Sequence, residues 1–376
     1  MQYLVLALIF IRPFIASLAY PWVNSVYSLA LIASLLLWMA GNPAWRRESR
    51  NIFLPAAVFI LALAVSLYFS IDRSKSVAEI YKYLSALLLI LGMQNLTERS
   101  RKVYLSAILI CGISISIMAI YQYFFGFAHL QVFISKQNIT SPFIADYLRQ
   151  KRVFFPFVTP GILAGYLTMV IPLVLLYKKK VWLSLPLLIA LFLTASLGAF
   201  ISLFLTALVY MLLKNDFKKT KLVFLSSLGV FALLVLIIRS VSGRGHLSPA
   251  FSIIMRLSYW QDTLEIIKLH PFLGIGLGNF NLVYSRYAHN SFLQFWAEAG
   301  LIGASSLAWL VIACLKRGAG KISLLSKDKE KLLLLSCLAA FLFHNLWDFG
   351  FFLPEVSLIW WTILGIFAAP RPKDGL

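Results

Sequence analysis

Residues 255–303 have the sequence MRLSYWQDTLEIIKLHPFLGIGLGNFNLVYSRYAHNSFLQFWAEAGLIG. Charged, aromatic, glycine and histidine residues alternate throughout this stretch, whereas the sequence on both sides of it consists mainly of apolar runs. Apolar runs of about 20 residues are typical of helices that span a bilayer. We therefore expect a folded segment at the membrane surface, held between membrane-spanning helices.

Three features of the stretch have chemical consequences. Arg256 and Trp260 are four residues apart, so a helix places the cation beside the aromatic ring on one face. The segment 270–280, HPFLGIGLGNF, has three alternate glycines after a proline, which predicts a tight turn or a close approach of a ligand. His289 precedes the apolar run that begins at Ser291, so its imidazole is expected where the chain enters the bilayer. A lipid-linked substrate would be met at such a place.

The composition of the chain is that of an integral membrane protein. Of its 376 residues, 61% are hydrophobic and 13% are charged, against about 25% charged residues in soluble domains. The three cysteines are widely separated inside apolar runs and show neither a metal-binding spacing nor an even disulfide set. The net charge of +20 does not indicate a nucleic-acid partner, because no soluble basic domain carries it. The alternate glycines do not follow a strand in a βαβ unit, which excludes a dinucleotide site.

The apolar runs predict an all-α integral membrane fold. They lie near residues 2–20, 25–41, 52–70, 77–95, 103–124, 157–177, 181–195, 197–213, 222–238, 291–315, 332–350 and 355–369. Three of these runs are short for a full span, so we expect about 12 transmembrane helices, plus or minus two.

Two polar segments divide the apolar runs into five parts. We expect transmembrane helices at 1–124, a first outer segment at 125–156, further helices at 157–238, a large outer loop at 239–290, and the last helices with a cytoplasmic tail at 291–376. Lys and Arg concentrate in the short loops on the side of the two termini, so the positive-inside rule places both termini in the cytoplasm. In the larger outer segment, between the ninth and tenth helices, residues 258–269 have the spacing of an amphipathic helix.

The order of motifs in residues 255–303 is shared with a known family. It runs Arg-x-x-x-Trp, His-Pro-x-x-Gly-x-Gly, Ala-His-Asn-x-x-Leu-Gln and Glu-x-Gly-x-x-Gly. As a set, this order resembles the signature region of the bacterial O-antigen ligase and polymerase superfamily. The matching residues are Arg256, Trp260, His270, Pro271, Gly274, Gly276, Asn279, His289, Asn290, Gln294, Glu298, Gly300 and Gly303.

A second motif of the superfamily has a partial match. Residues 152–167, RVFFPFVTPGILAGYL, resemble the family's outer arginine, which stands before a Phe-x-x-Pro turn and a glycine-containing span. Thr159 occupies the place where the family usually has an asparagine before the proline. The resemblance therefore covers the chain from near residue 150 to its C-terminus.

The resemblance implies a membrane glycosyltransferase with a GT-C-like architecture. The implied reaction moves a glycan from undecaprenyl diphosphate to a sugar hydroxyl of lipid A-core, at the periplasmic face of the bacterial inner membrane and with inversion of the anomeric carbon. Arg152 and Arg256 are implied to clamp the diphosphate, since guanidinium groups pair bidentately with phosphate. His289 is implied to be the general base for the acceptor hydroxyl. No cofactor or metal is expected, because the arginines balance the phosphate charge.

Further candidates for substrate binding are polar or aromatic residues on the outer side. They are Trp260, Arg286, Asn290, Glu298, His344 and Asp348. Glu298 is expected to be a partner of His289 or of Arg256, or else a helix-end carboxylate. His344 and Asp348 are four residues apart, which places them on one face of the eleventh helix. There, Asp348 either orients an arginine or pairs with His344.

Two other functions fit parts of the pattern. An O-antigen polymerase of the same superfamily shares the donor site but uses a second lipid-linked glycan as the acceptor. A flippase or transporter of lipid-linked sugars fits the hydropathy, but it is expected to have charges near the bilayer midplane and two related halves. Since the candidate site lies in the outer segments and no internal repeat is found, we prefer transfer. The expected partners are the undecaprenyl diphosphate-linked donor, the lipid A-core acceptor and membrane lipids.

Overall fold

A computed structural model of the protein describes residues 1–18, 21–42, 50–137, 148, 150–214, 218–242, 248–320 and 327–370. Every regular element within these ranges is a helix, so the all-α prediction is confirmed. Parts of the two expected outer segments, at 138–147, 149 and 243–247, lie outside the described residues.

The α-helices follow one another along the chain. They are α1 (Gln2–Ile11), α2 (Pro21–Ala40), α3 (Arg50–Tyr68), α4 (Arg73–Met93), α5 (Glu98–Tyr121), α6 (Phe127–Lys136), α7 (Pro160–Val170), α8 (Ser184–Leu193), α9 (Leu197–Lys214), α10 (Lys219–Ser242), α11 (Pro249–Leu269), α12 (Ser291–Ala319), α13 (Lys329–His344) and α14 (Pro354–Ala368). A π-helical turn, Gln122–Gly126, joins α5 to α6, and α10 reaches Ser242. Helix therefore continues past residues 124 and 238, where the apolar runs predicted the outer segments to begin.

Local sequence explains where the helices around the site begin. The side chain of Thr159 accepts a hydrogen bond from a backbone N–H in the first turn of α7, and Ser248 does the same for α11. A proline follows each cap at the first helical position, where its missing N–H is not needed. Asn290 caps α12. Because Ser248 supplies a cap, α11 begins at Pro249 and not at residue 258, where the amphipathic pattern predicted its start.

Within the described residues, six helical stretches are long and apolar enough to cross a membrane. They are Trp22–Ala40, Asn51–Tyr68, Arg73–Met93, Glu98–Lys136, Leu197–Lys214 and Ser291–Ala319. Shorter apolar helices, among them Pro160–Leu176 and Pro354–Ala368, pack between them. The chain is a membrane protein, whereas about 12 spans and a GT-C-like architecture stay predictions.

The core of the bundle lies around α14, in which nearly every side chain is buried, including Trp360. Helix α14 packs against α4, α12 and α13, and α12 packs against α3. Helix α13 also contacts α7 and α9. This arrangement brings the end of α13 to the starts of α7 and α9.

Helix α12 is interrupted at Gly300, where the backbone has a φ of 68° and a ψ of 179°. Residues 270–279, which we call the glycine segment, bind the backbone groups that the interruption frees. The N–H groups of Ile275 and Gly276 donate to carbonyl oxygens of α12 before the break, at 3.0 and 2.8 Å. The first N–H group after the break donates to the carbonyl oxygen of Pro271 at 2.9 Å. The broken helix and the glycine segment thus complete each other's hydrogen bonds.

The glycines at this junction are required by their surroundings. Gly274 and Gly300 have φ values of 69° and 68°, in the left-handed region. A Cβ on Gly274 would lie 2.3 Å from the carbonyl oxygen of Glu298, and one on Gly300 would lie 2.1 Å from that of Phe272. The predicted tight turn is confirmed, and the group that approaches its backbone is the broken helix.

Candidate active site

A cavity of about 560 Å³ lies among the starts of α7, α9 and α11, the end of α13 and the residue before the cap of α12. Its walls include Arg152, Arg256, Trp260, His289 and Asp348. The rest of its lining is Thr159, Pro160, Gly161, Ser196, Leu197, Gly198, Ile201, Pro249, Phe251, Ser252, Ile253, Met255, Leu257, Tyr259, His344, Trp347 and Phe349. Because these residues come from distant parts of the chain, only tertiary packing assembles the cavity.

Arg256 lies on α11 and is anchored at two points. Its Nε donates to the carbonyl oxygen of Trp347 at 3.1 Å, and its Nη1 donates to Oγ of Ser252 at 2.7 Å. Its Nη2 amino group has no hydrogen-bond partner among the residues that the structure describes. Trp260, one turn further along α11, lines the same cavity, as the helical spacing predicted. The guanidinium is therefore held in place with donors left for an anion.

Arg152 reaches the cavity from the segment before α7. Its Nε donates to the carbonyl oxygen of Thr194, just beyond the end of α8, at 2.9 Å. The neighbouring N–H of Val153 donates to the carbonyl oxygen of Leu193 at 3.2 Å. Carbonyl groups at the C-terminal end of a helix carry partial negative charge and stabilise a cation there. The end of α8 thus fixes both the backbone and the side chain of Arg152.

Three helices begin at the cavity. Residues 159–161, residues 196–198 and Pro249 belong to its lining, and they are the caps or the first residues of α7, α9 and α11. The first turn of a helix has N–H groups without a partner in the helix and carries partial positive charge. With the two arginines, these helix ends make the cavity electropositive, which suits it to a phosphate group.

His289 lies between two aromatic rings. Its ring stacks on Tyr259, with centroids 5.8 Å apart, and lies edge to face with Phe349 at 4.9 Å. Its φ of 51° is in the left-handed region, where a residue with a side chain costs about 1 kcal/mol or more. Burial lowers the pKa of His289 to about 4; the carboxylate of Asp348 opposes this shift and the charge of Arg256 adds to it. The imidazole is thus neutral at neutral pH and has a fixed orientation.

A chain of hydrogen bonds fixes the backbone next to His289. Gln294 accepts the N–H of Ala288 through Oε1 at 3.1 Å and donates through Nε2 to Glu298 at 2.9 Å. The other carboxylate oxygen of Glu298 accepts the N–H of Gly278 at 2.8 Å. Glu298 is only 2% exposed. It therefore links the glycine segment, through Gln294, to the backbone beside His289, and it forms no hydrogen bond with either expected partner, His289 or Arg256.

The prediction that His344 and Asp348 lie on one helix is wrong, since α13 ends at His344. The turn beyond it still brings them together, with Nε2 of His344 3.3 Å from Oδ2 of Asp348. The other oxygen, Oδ1, accepts the N–H of Phe349 at 2.8 Å. Burial acts to raise the pKa of Asp348, but the hydrogen bond from His344 and the charges of His344, His289 and Arg256 outweigh it and lower the pKa to about 2. Of the two roles predicted for Asp348, pairing with His344 is the one present.

Asn345 explains why α13 stops at His344. Its Nδ2 donates to the carbonyl oxygen of Phe341, and its Oδ1 accepts both the hydroxyl of Ser291 at 2.6 Å and the N–H of Phe351 at 2.9 Å. Its backbone carbonyl accepts the N–H of Ser291 at 2.9 Å. The side chain takes over the hydrogen bonds of the helix end and ties that end to the start of α12.

Four ring nitrogens at the cavity have no hydrogen-bond partner within the described part of the chain. They are Nε1 of Trp260, Nδ1 of His289, Nδ1 of His344 and Nε1 of Trp347. Each buried polar atom without a partner costs about 1–3 kcal/mol. The two indole N–H groups can only donate, so they suit acceptor oxygens such as those of a phosphate or a sugar.

The cavity brings together most of the site residues predicted from the sequence, namely Arg152, Arg256, Trp260, His289, His344 and Asp348. It does not include Arg286, Asn290 or Glu298. Arg286 is exposed, and Oδ1 of Asn290 accepts the N–H groups of Phe292 and Leu293 as the cap of α12. A role of these three residues in substrate binding stays a prediction.

Several residues of the site were missed in the sequence. Trp347 and Tyr259 were not among the predicted site residues, although each stands next to one of them. Gly161 and Gly165 carried a sequence signal, because glycines four residues apart on a helix allow a second element to approach closely. Within the described ranges, no three His, Cys, Asp or Glu side chains gather as a metal site; whether the reaction needs a metal is untested.

Comparison with known protein families points to the same region. Residues 181–308 match the family model described as O-antigen ligase. This region contains Arg256, Trp260 and His289, while Arg152 and Asp348 lie outside it. No curated protein matches the chain. This match confirms the resemblance of the motifs in residues 255–303 to the O-antigen ligase and polymerase superfamily.

Proposed function

We propose that this chain transfers a glycan from undecaprenyl diphosphate to a sugar hydroxyl of lipid A-core at the periplasmic face of the bacterial inner membrane. The O-antigen ligase domain supports a ligase-like or polymerase-like function. The observation that carries the finer proposal is a single cavity in which Arg152 and Arg256, from separate parts of the chain, meet the imidazole of His289. A diphosphate leaving group and an acceptor hydroxyl are the reactants that such side chains suit.

The diphosphate is proposed to bind at the two arginines. Each guanidinium is anchored through Nε to a backbone carbonyl, at 2.9 Å for Arg152 and 3.1 Å for Arg256, which fixes its plane. The three helix starts add partial positive charge. As the bond between the sugar and the diphosphate breaks, negative charge grows on the leaving oxygen. Donors that are already in place stabilise this charge without reorganisation.

The isoprenoid chain of the donor is proposed to leave the cavity between α9 and α11. Ile201 on α9 and Ile253 and Leu257 on α11 line the cavity, and they are 38%, 52% and 50% exposed. Exposed aliphatic side chains beside a charged pocket suit a substrate with a charged head and a hydrocarbon tail.

The resemblance assigns the proton of the acceptor hydroxyl to His289. Burial and the charge of Arg256 hold the pKa of His289 at about 4, against the effect of Asp348, and a base this weak is inefficient at neutral pH. A bound diphosphate would neutralise Arg256 and add negative charge, which raises the pKa of His289. The assignment therefore requires that the donor binds first. Attack of the acceptor oxygen on the anomeric carbon, opposite the diphosphate, then inverts that carbon.

A reconstituted reaction tests the proposal. Purified protein given undecaprenyl diphosphate-linked glycan and lipid A-core is expected to form glycan-extended lipid A-core and free undecaprenyl diphosphate, detected by mass spectrometry. Addition of a chelator is expected to leave the rate unchanged. Lengthened lipid-linked glycan in the absence of lipid A-core would identify a polymerase instead. Movement of the intact donor across the bilayer, without glycan transfer, would identify a flippase. It would overturn both the ligase and the polymerase as functions.

Reporter fusions test the side of the membrane. Fusions at Asn215 and Ser323 are expected to report a cytoplasmic location, and fusions at Gln137 and His246 a periplasmic one, because the basic loops set the orientation. All of these positions except Gln137 lie outside the described residues. The opposite pattern would separate the cavity from its proposed substrates.

A further inference from the structure

Gln122 is a buried polar side chain in the aromatic stretch 121–127, YQYFFGF. It is the first residue of the π-helical turn Gln122–Gly126 between α5 and α6, and it is 8% exposed. A single π-helical turn is rare in proteins and occurs mostly at functional sites. Burial of an amide costs free energy unless its polar atoms are hydrogen bonded. The hydrogen bonds of Gln122 therefore offset a cost that an apolar residue would not have.

The side-chain oxygen of Gln122 binds the segment that carries Arg152. Its Oε1 accepts the backbone N–H of Phe154 at 2.8 Å and that of Phe155 at 2.9 Å. These two residues lie outside the helices, so no helical carbonyl group is available to their N–H groups. One amide oxygen has two lone pairs and can accept both bonds. Gln122 thus serves in place of a backbone acceptor for two successive residues.

The end of α8 binds the two residues before Phe154. Nε of Arg152 and the N–H of Val153 both donate to carbonyl oxygens there, at 2.9 and 3.2 Å. All four residues in 152–155 are therefore held by a hydrogen bond, two by the end of α8 and two by Gln122. A guanidinium keeps a fixed position only if the backbone that carries it is fixed as well.

Packing around Gln122 restricts the same segment. A Cβ on Gly126 would lie 3.1 Å from Cγ of Gln122, so the glycine leaves room for the glutamine side chain. The ring of Phe127, which is 2% exposed, lies edge to face with the ring of Phe154, with centroids 6.4 Å apart. The π-helical turn and the start of α6 therefore contact the segment through one polar and one aromatic side chain.

We propose that Gln122 is a positioning residue, which holds the backbone of residues 152–155 so that Arg152 stays in the cavity wall. The inference rests on the proposed glycan transfer, in which Arg152 binds the diphosphate of the donor. Gln122 itself lies outside the cavity lining. Its effect on the substrate therefore passes through two backbone N–H groups and then through Arg152.

Steady-state kinetics of purified variants test the role of the accepting oxygen. Gln122→Met has a similar size but no acceptor for the two N–H groups, and it is expected to lower kcat/KM for the donor by about tenfold or more. Gln122→Glu keeps an oxygen that can accept both bonds, and it is expected to stay within about threefold of the wild type. Equally low kcat/KM in both variants would overturn the proposal.

Gln94→Met is the matched control. Gln94 is also buried, at 4% exposed, and its Nε2 donates to carbonyl oxygens of Ile90 and Gly365, away from the cavity lining. Its loss is expected to lower the denaturation temperature but to leave kcat/KM for the donor unchanged. A similar fall of kcat/KM in Gln94→Met and Gln122→Met would reduce Gln122 to an ordinary buried amide.

A double-mutant cycle tests whether Gln122 acts through Arg152. Gln122→Met alone is expected to raise the Kd for inorganic pyrophosphate by about tenfold. In a chain that already carries Arg152→Gln, the same change is expected to raise this Kd by less than about twofold, because the guanidinium is absent. An equal rise in both backgrounds would show that Gln122 acts independently of Arg152, against the proposal.

Hydrogen exchange separates this inference from the proposed function. The amides of Phe154 and Phe155 are expected to exchange faster in Gln122→Met than in the wild type, and at the wild-type rate in Gln94→Met. Unchanged exchange in Gln122→Met would show that Gln122 does not hold the segment. Faster exchange, in a wild-type background that neither transfers glycan nor binds pyrophosphate, would instead overturn the proposed function and leave the hold on the segment intact.

Discussion

The glycine segment and part of the cavity wall come from one stretch of sequence, residues 255–303, yet the polar groups of the segment and of the cavity differ in their hydrogen bonding. In the glycine segment, backbone groups bond to the broken helix α12, and the buried carboxylate of Glu298 accepts hydrogen bonds from both sides. In the cavity, four ring nitrogens have no partner among the described residues. The comparison teaches that residues 255–303 supply both a scaffold, in which hydrogen bonds are complete, and part of a candidate binding site, in which ring nitrogens lack partners among the described residues.

Arg256→Lys is expected to have the largest effect on activity. An ammonium keeps the charge but lacks the planar fork that binds two phosphate oxygens and the Trp347 carbonyl together. We expect transfer to fall by roughly 100-fold or more, with an unchanged amount of protein in the membrane. Arg73→Lys, at an exposed position outside the cavity, is the control. Retained activity, or an equal loss of protein, would make Arg256 a part of the scaffold.

Gly300→Ala is the corresponding change in the scaffold. The added Cβ would meet the carbonyl oxygen of Phe272 at 2.1 Å, and the left-handed φ of 68° disfavours alanine. We expect the free energy of unfolding to fall by about 2 kcal/mol or more, measured as thermal denaturation in detergent. Gly229→Ala in α10 is the control and should be neutral or slightly stabilising, because a Cβ there meets no atom within 4 Å. An unchanged denaturation temperature would show that the junction accommodates the added Cβ without cost. That result would contradict the assignment of Gly300 to the scaffold.

Two tryptophans allow the scaffold and the binding site to be compared with the same substitution. Nε1 of Trp260 has no partner within the described part of the chain, whereas Nε1 of Trp296 donates to the Pro271 carbonyl at 3.2 Å. Trp260→Phe is expected to raise the KM for the donor by about tenfold, since it removes one donor to a charged ligand. Trp296→Phe is expected to leave KM unchanged and to lower stability by about 1 kcal/mol. A raised KM in both variants, or in neither, would show that Trp260 and Trp296 do not differ in their contact with the donor.

The smallest expected effect is on stability at acid pH. Burial holds the pKa of His289 in the folded protein at about 4, below its ordinary value of 6.5. Between these values the unfolded chain binds more protons, so stability is complete above pH 6.5 and is lost as pH falls toward 4. Between pH 6.5 and about pH 5.5, His289→Gln is expected to remove about 1 kcal/mol of this pH-dependent difference. Identical pH dependence in the variant and the wild type would show that the imidazole is hydrated in the folded protein.

Hydropathy was sufficient to predict that the chain is helical, because an apolar run is a local property. The end of α13 was not predictable, since it depends on Asn345 meeting Ser291 and Phe351, residues that no local pattern connects to it. The role of Glu298 was hidden for a similar reason. Gly300 lies inside an apolar run, and nothing in that run indicates that α12 breaks there. The hydrogen bonds that Glu298 makes beside the break were therefore not predictable.

The site was predicted in part through family resemblance. That resemblance put Arg152, Arg256 and His289 together, and the cavity contains all three. The contact of His344 and Asp348 with α7 depends on the packing of α7 on α13, two segments far apart in the chain. The spacing of Gly161 and Gly165 indicated that a second helix packs closely against α7. It did not indicate which helix that is.

The two aromatic rings around His289 also give it a magnetic environment of its own. Tyr259 lies parallel to the imidazole within 21°, and Phe349 lies at 88° to it. Ring currents from both neighbours would shift the carbon-bound protons of this imidazole away from those of the other four histidines of the chain. In protein labelled only at histidine, that displaced resonance would follow substrate entry directly, without a reporter group attached to the site.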